Sequence, residues 1–303
     1  MCDEERNQLP LLRILIAIGS QEYSEHTLKT GAILADRLKA NLTVCYVGEK
    51  PRERGDFGMK ILHDSMANWQ IFHPGLEVLR WAYEKIQEWG FGGETTCSMD
   101  PAHTIVESGR ILAIVPGARN GKIELLLREG ETFAEIHKET QINSYFLTVV
   151  GGGVKKSVTN KLIQFVDSNI FFAKNYQHDK SYRILIPVDD SAGTQHAVMF
   201  GSLVAQRFGM GIDALTVSKK EYFGPGYSSA AEMADLYFSG KNISHKMLRK
   251  VGDPATEIAK GAGDDHLIIM GVSHSSSEWR KFFRGTKPGD TVIQAQCPVL
   301  LVR

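Results

Sequence analysis

The sequence lacks an excess of charge of either sign, since 35 lysines and arginines balance 35 aspartates and glutamates over 303 residues. A net charge of zero removes the long-range field that a general nucleic-acid-binding protein uses, so we expect no nucleic-acid partner. No apolar run approaches the ~20 residues of a membrane span, and residues 1–10 are charged, without the apolar core of a signal peptide. We therefore expect a soluble, cytoplasmic protein without membrane contact.

Cysteine is scarce and scattered. Its four positions, Cys2, Cys45, Cys97 and Cys297, form no CxxC pair and no Cys/His cluster, so neither a metal site nor a disulfide framework is expected. The sequence also lacks a complete P-loop, a serine nucleophile elbow and an HExxH motif. Each of these motifs would identify catalytic residues. Because the sequence contains none of them, we expect a protein that is not an enzyme.

What the sequence does contain is an internal repeat, which we interpret as a tandem duplication. Four blocks of the first half recur in the same order in the second: 14–20 as 184–190, 24–26 as 194–196, 130–136 as 252–258, and 147–151 as 267–271. The repeat predicts two domains, residues 1–174 and 182–303, joined by a polar linker at 175–181.

Apolar strands alternate with amphipathic helices in both halves, which predicts an α/β fold with parallel sheets covered on both faces. The first half carries an insertion at about 50–121. In it, His73-Pro74-Gly75 divides two helices, and residues 92–121, which have no counterpart in the second half, suit a β-hairpin.

Ligands of such sheets bind beyond the carboxyl ends of the strands, where the strand order reverses. Asp189 and Asp190 follow the first strand of the second half. An acid there accepts a hydrogen bond from a ribose hydroxyl in dinucleotide folds, but it also suits the cap of the following helix. Position alone does not separate the two roles.

The loop after the fourth strand suits an anion. Gly271 opens a segment rich in hydroxyl groups, and Gly285-Thr286 precedes Pro288, a residue favoured at the first position of a helix. Backbone N–H groups and side-chain donors on both sides can converge on a phosphate. His26 and His196 are equivalent helix positions, where we expect partly buried, hydrogen-bonded side chains.

With these motifs the chain resembles a tandem universal stress protein. Nucleotide-binding members of that family carry Gly-x-x-Gly, nine residues, and Gly-(Ser/Thr), which Gly271 and Gly285-Thr286 match. His274 replaces the second glycine, and ten residues follow it instead of nine. Two further matches are Pro187-Val188-Asp189 and the terminal strand from Cys297 to Val302.

The resemblance implies two tandem doubly wound, parallel, five-stranded domains of strand order 3-2-1-4-5, of the adenine nucleotide alpha hydrolase type. It implies ATP, with Mg as its companion, in the second half. Asp189 would take the ribose, and Pro187 and Val217 the adenine. The full set of implied binding residues is Pro187, Val188, Asp189, Val217, Met270, Gly271, Ser273, His274, Gly285 and Thr286.

The first half departs further from the family. Gly19 stands where the second half has Asp189, and only a few residues separate Gly151 from the next helix, so we assign this half a structural role. The resemblance also implies pairing through the last strands, with 170–173 antiparallel to 299–302 in an intramolecular pseudo-dimer. A homodimer of such chains is compatible with this arrangement.

Three functions follow from the resemblance and the residues. The first is a stress-response regulator that binds one ATP in the second half without rapid turnover. The second is a nucleotide-free interaction module whose insertion at 50–121 contacts an unknown protein partner. The substitution at His274 favours the second, whereas Asp189 and Gly285-Thr286 favour the first. The third, slow ATP hydrolysis, has no sequence-visible general base other than His274.

Overall fold

In a computed structural model the chain divides into two compact units, Met1–Gly151 and Gly152–Arg303. The structure describes residues 12–49, 58–69, 73–94, 99, 101–153, 155–272 and 288–303. The helix and strand at 156–173, which the repeat assigns to the first half, thus group with the second unit. The duplication boundary at 174 stays a prediction. No helix within the described ranges is long and apolar enough to cross a membrane.

The first unit follows the predicted alternation of strands and helices. Its elements are β1 (Arg13–Ile18), α1 (Gln21–Leu38), β2 (Asn41–Gly48), α2 (Gly58–Trp69), α3 (Pro74–Glu88), β3 (Ile105–Glu107), β4 (Arg110–Pro116), β5 (Lys122–Glu129), α4 (Thr132–Ile142) and β6 (Leu147–Gly151).

The sheet of this unit has the order β6-β1-β2-β5-β4-β3, in which the first four strands are parallel and the last two form an antiparallel extension. The predicted hairpin is therefore confirmed as β3 and β4. The predicted division between two helices is confirmed as well: the His73 side chain caps α3 by accepting from the Gly75 N–H, and Pro74 opens the helix. Ile14, Leu15 and Ile16 of β1 are fully buried, as expected for a central strand covered on both faces.

The second unit is built from α5 (Lys156–Phe165), β7 (Asn169–Ala173), β8 (Arg183–Pro187), α6 (Ala192–Phe208), β9 (Ile212–Ser218), α7 (Pro225–Gly240), β10 (His245–Val251), α8 (Pro254–Ala262), β11 (His266–Gly271), α9 (Pro288–Gln294) and β12 (Val299–Val302).

Strands β10-β9-β8-β11-β12 are parallel neighbours, which confirms the predicted order 3-2-1-4-5. Strand β7 joins β12 antiparallel, with Phe172 opposite Val299 and Ile170 opposite Leu301. The predicted pairing of 170–173 with 299–302 is therefore confirmed. It covers the apolar edge of β12, whose four residues are all buried.

The repeat is visible in backbone geometry. Gly130 and Gly252 have φ angles of 151° and 155°, a region that favours glycine. A Cβ on either residue would collide with the glutamate five positions later, Glu135 or Glu257. The matched blocks 130–136 and 252–258 therefore fold alike, at the same turn between a strand and a helix.

The segment 175–181 has no helix or strand, as predicted, but it packs closely. The ring of Tyr176 stacks on Tyr182 at 5.4 Å and meets Phe171 edge-on. The Tyr182 hydroxyl accepts from the Gln177 N–H at 2.9 Å. The connection consequently packs on the second unit through the Tyr176 ring, which its polar composition did not indicate.

Candidate functional site

The described part of the candidate site lies at the carboxyl edge of the second sheet. Strands β9, β8 and β11 are adjacent and parallel there, so Val217, Asp189 and Gly271 come from neighbouring strand ends. Pro187 ends β8 and is half-buried, whereas Val188 is buried and donates its N–H to the Leu215 carbonyl at 2.9 Å. Met270 is buried within β11. Six of the ten predicted site residues therefore meet at one edge.

Asp189 has one oxygen committed to local structure. Its Oδ1 accepts from the Thr194 hydroxyl at 2.7 Å, and from the Ser191 hydroxyl and N–H at 2.5 and 3.1 Å. These bonds order the turn into α6, whose N-cap is Ser191, so Oδ1 has a structural role before the helix without capping it. Among the described residues, none donates to Oδ2. The half-buried carboxylate thus retains an oxygen able to accept from a ligand.

The corresponding position of the first unit has the same turn without the acid. The Gly19 N–H donates to the Ser24 hydroxyl at 2.9 Å, as the Asp189 N–H donates to the Thr194 hydroxyl at 3.1 Å. Ser24 and Thr194 are therefore structural equivalents. The carboxylate is the feature that distinguishes the two turns, in line with the predicted asymmetry.

Gly271 lies against the start of α6. A Cβ placed on it would lie 1.7 Å from the carbonyl oxygen of Gly193, and one on Gly193 would lie 2.8 Å from the Gly271 carbonyl oxygen. Only glycines allow this approach of two backbones. Gly271 thus has a packing role that its place in the glycine motif did not indicate.

A small cavity of about 210 Å³ lies beside Val217 at the end of β9. Lys219, Lys220 and Tyr227 contribute to its lining, together with Ser218, Tyr222 and Pro254. Burial raises the pKa of Tyr227, and the carboxylates of Asp190 and Asp189 raise it further. The start of α7 therefore brings the Tyr227 ring close to Asp189, and the loop after β9 adds two lysines to the same cavity.

Sequence reasoning missed these cavity residues. The sequence does contain features from which they could have been found. Lys219-Lys220 directly follows β9, and Gly224-Pro225-Gly226 is typical of the start of a helix. A Cβ on Gly226 would lie 2.8 Å from Asp190 Oδ2, so the two residues are close neighbours. The exposed Asp190 consequently sits at the first turn of α7, where the helix dipole favours an acid.

Four predicted phosphate residues, Ser273, His274, Gly285 and Thr286, lie outside the described residues. Helix α9 begins at Pro288 as predicted. His196 is exposed, so the expectation of a partly buried side chain was wrong there. The His26 side chain has a large exposed fraction, but burial of part of it lowers the pKa of His26. Within the described ranges, no group of three or more histidine, cysteine and acidic side chains could hold a metal ion.

Neither a protein-family model nor a curated protein sequence matches the chain. Several solved structures do match the chain. A universal stress protein from Archaeoglobus fulgidus DSM 4304 has a TM-score of 0.63 at 15% identity and covers 96% of both chains. A candidate universal stress protein from Pseudomonas aeruginosa UCBPP-PA14 has 0.56 at 11% identity, covering 97% of this chain and 93% of its own.

A functionally unknown protein from Pseudomonas aeruginosa PAO1 is also similar, with a TM-score of 0.52 at 11% identity, covering 97% of this chain and 92% of its own. At these identities the likeness concerns the fold. The chain therefore has the universal stress protein fold along nearly its whole length, as the sequence resemblance implied.

Proposed function

We propose that the chain is a universal stress protein that binds one adenine nucleotide, ATP, in its second unit and acts as a regulator without rapid turnover. The observation that carries this proposal is the carboxyl edge around Asp189. It combines an acid with one unengaged oxygen among the described contacts, a cavity that includes an aromatic ring, and two lysines. The acid suits a ribose hydroxyl, and the cavity with its aromatic ring suits the adenine.

The cavity beside Val217 fits one part of a nucleotide. Its volume of about 210 Å³ is below the roughly 300 Å³ at which pockets for complete small molecules begin. We assign the adenine to Val217 and Pro187 and the ribose to Asp189. The phosphates would extend toward Gly271, Ser273 and His274 on one side and Gly285 and Thr286 on the other.

Magnesium would accompany ATP as a phosphate-bound ion. Mg²⁺ usually keeps several waters and takes one or two carboxylates plus phosphate oxygens. Asp190 is an exposed carboxylate at this edge and suits such a role through water.

Strand pairing of β7 with β12 within the chain supports the proposed pseudo-dimer, and a cytoplasmic location stays a proposal from composition.

A second candidate, a nucleotide-free interaction module, is favoured by a different observation. The insertion exposes Ile105 and Ile114, at 55% and 53%, on the hairpin β3–β4. Exposed apolar side chains on a hairpin at the end of a sheet suit contact with a partner protein. Asp189 and Gly271 also have packing roles that do not require a nucleotide.

Thermal unfolding with millimolar ATP·Mg separates the two. A ligand at 100 times its Kd stabilises the folded state by about 2.7 kcal/mol, so the wild type should melt several degrees higher. Gly285→Asp should abolish the shift because a carboxylate repels phosphate, and His274→Gly should preserve or enlarge it. An unshifted wild type would contradict ATP binding and leave the interaction module.

A further inference from the structure

A cavity of about 540 Å³ lies at the amino edge of the first sheet, whereas the nucleotide is expected at the carboxyl edge of the second sheet. Its apolar lining comes from small and branched residues of α1, β2 and β5 and from one aromatic ring: Ala32, Ala35, Leu42, Ile123 and Phe91. The volume falls within the roughly 300–1,000 Å³ of small-molecule sites. Two alanines on α1 leave the space that larger side chains would fill.

The insertion builds the outer wall of this cavity. The turn at 117–121 is held by hydrogen bonds from the Ala118 N–H to the Phe91 carbonyl at 2.9 Å and from the Gly117 N–H to the Gly121 carbonyl at 2.8 Å. The buried Tyr83 hydroxyl donates to the Pro116 carbonyl at 2.9 Å. Because backbone bonds fix the wall, the cavity is preformed, which lowers the entropy cost of binding.

The second unit has no counterpart of this wall. Its chain passes from α7 to β10 through residues 241–244, whereas the first unit has residues 89–121 between α3 and β5. The cavity is thus a property that the insertion adds to one repeat. It is independent of the carboxyl edge used for the proposed function.

The charged groups at the cavity are mostly cationic. Lys39, Arg119 and Lys122 line it with a single acid, Asp36, so the local charge is three minus one, or +2. Arg119 lies 3.3 Å from Asp36, and both lysines are exposed. In a chain of zero net charge, this excess distinguishes the cavity and favours an anionic ligand.

We propose that the amino-edge cavity binds a small amphipathic anion, a molecule with an apolar ring or short hydrocarbon body and one acidic group. The body would contact Ala35, Leu42 and Phe91, and the acidic group would lie near Lys39 and Lys122. Burial of apolar surface supplies the affinity, and the lysines select for negative charge.

The experiment is a fluorescence titration of the full chain with two matched probes, 8-anilinonaphthalene-1-sulfonate and its neutral analogue N-phenyl-1-naphthylamine. The sulfonate should saturate at one site per chain and bind roughly three- to tenfold more tightly than the neutral probe, as expected for two partly screened ion pairs. The difference should shrink at 1 M salt, where screening is nearly complete.

Variants test whether the bound probe lies in the amino-edge cavity. Ala118→Trp, which puts a large ring at the half-exposed rim, should weaken sulfonate binding at least tenfold. The double variant Lys39→Gln/Lys122→Gln alters exposed side chains, so its folding is not at risk, and should remove most of the preference for the sulfonate. Arg37→Gln, an exposed cation on α1 outside the lining, is the matched control and should change nothing.

Leu203→Ser removes a leucine that is 65% exposed on α6 and controls for surface adsorption. Retained one-site binding in Leu203→Ser, with loss of sulfonate preference in the lysine variant, supports the proposal. Absence of saturable binding, equal affinity for both probes, or loss of binding in Leu203→Ser would overturn it. None of these outcomes depends on ATP.

Discussion

Thr194 and Asp189 are joined by two hydrogen bonds: the Thr194 hydroxyl accepts from the Asp189 N–H at 3.1 Å and donates to its Oδ1 at 2.7 Å. In the first unit the equivalent Ser24 hydroxyl accepts from Gly19 at 2.9 Å, and no side chain stands at residue 19 to receive its proton. The two repeats thus share a turn, and one of them carries an acid on it.

This relationship predicts that Gly19→Asp stabilises the first unit. A Cβ on Gly19 meets nothing within 4 Å, and the new carboxylate can accept from Ser24. We expect a gain of about 1 kcal/mol from the hydrogen bond and reduced chain entropy, measured by urea unfolding. Gly19→Ala controls for entropy. If the gain persists in a Ser24→Ala background, the hydroxyl is not its source.

Gly271→Ala should destabilise the second unit strongly. Its Cβ would lie 1.7 Å from the Gly193 carbonyl oxygen, and neither backbone can move without displacing β11 or α6. We expect a loss of about 3 kcal/mol or more in the free energy of unfolding. Gly240→Ala is the matched control, since a Cβ there meets nothing within 4 Å. Equal stability of the two variants would refute the packing role.

A buried ionic cluster makes the first unit sensitive to acid. Glu139 is fully buried and accepts from Arg110, Arg128, Asn143 and Tyr145. Burial raises the pKa of Glu139, but the hydrogen bonds and charge of Arg128, with the bonds from Asn143 and Arg110, outweigh it and lower the pKa below its usual value.

A carboxyl whose pKa is lowered stabilises the fold above its ordinary pKa and loses that contribution as pH falls through the folded-state value. Glu139→Gln should therefore cost about 3 kcal/mol at pH 7, because two buried arginines lose their nearest charge partner and keep more distant ones, Glu135 at 3.3 Å and Glu107 at 3.8 Å. The deficit relative to wild type should shrink below about pH 4. Exposed Glu88→Gln is the control, and a deficit independent of pH would contradict the account.

Much of the fold could be predicted from the sequence, because the periodicity of the apolar residues and the positions of the turn-forming glycines and prolines indicate the same helices and strands. In the second half, strands alternate with helices as predicted, and the strand order 3-2-1-4-5 is as implied. The hairpin of the insertion followed from its glycines and prolines. These features depend on local patterns, which a single sequence contains.

Features that depend on partners distant in the sequence could not be predicted from it. The fully buried Arg128 lies at the end of a strand that reads as apolar, and its partner Glu139 is on the next helix. The packing of Gly271 against Gly193 joins residues far apart in sequence. At the candidate site, Asp189 was found from its position, whereas Tyr227 was missed because only the fold brings α7 over that edge.

The central claim, one nucleotide site built around Asp189, is tested most directly by isothermal titration calorimetry of ATP·Mg with Asp189→Asn. Asparagine keeps an oxygen for Ser191 and Thr194 but loses the second acceptor, so folding is preserved. Loss of a hydrogen bond to a charged group costs about 1.5–3 kcal/mol, or roughly tenfold or more in Kd.

The control is Asp235→Asn, an acid of α7 that pairs with His245 at the start of β10, hence at the other edge of the sheet. The account predicts at most one ATP per wild-type chain, at least tenfold weaker binding by Asp189→Asn, and unchanged binding by Asp235→Asn. Two sites of similar affinity, or wild-type affinity in Asp189→Asn, would contradict it.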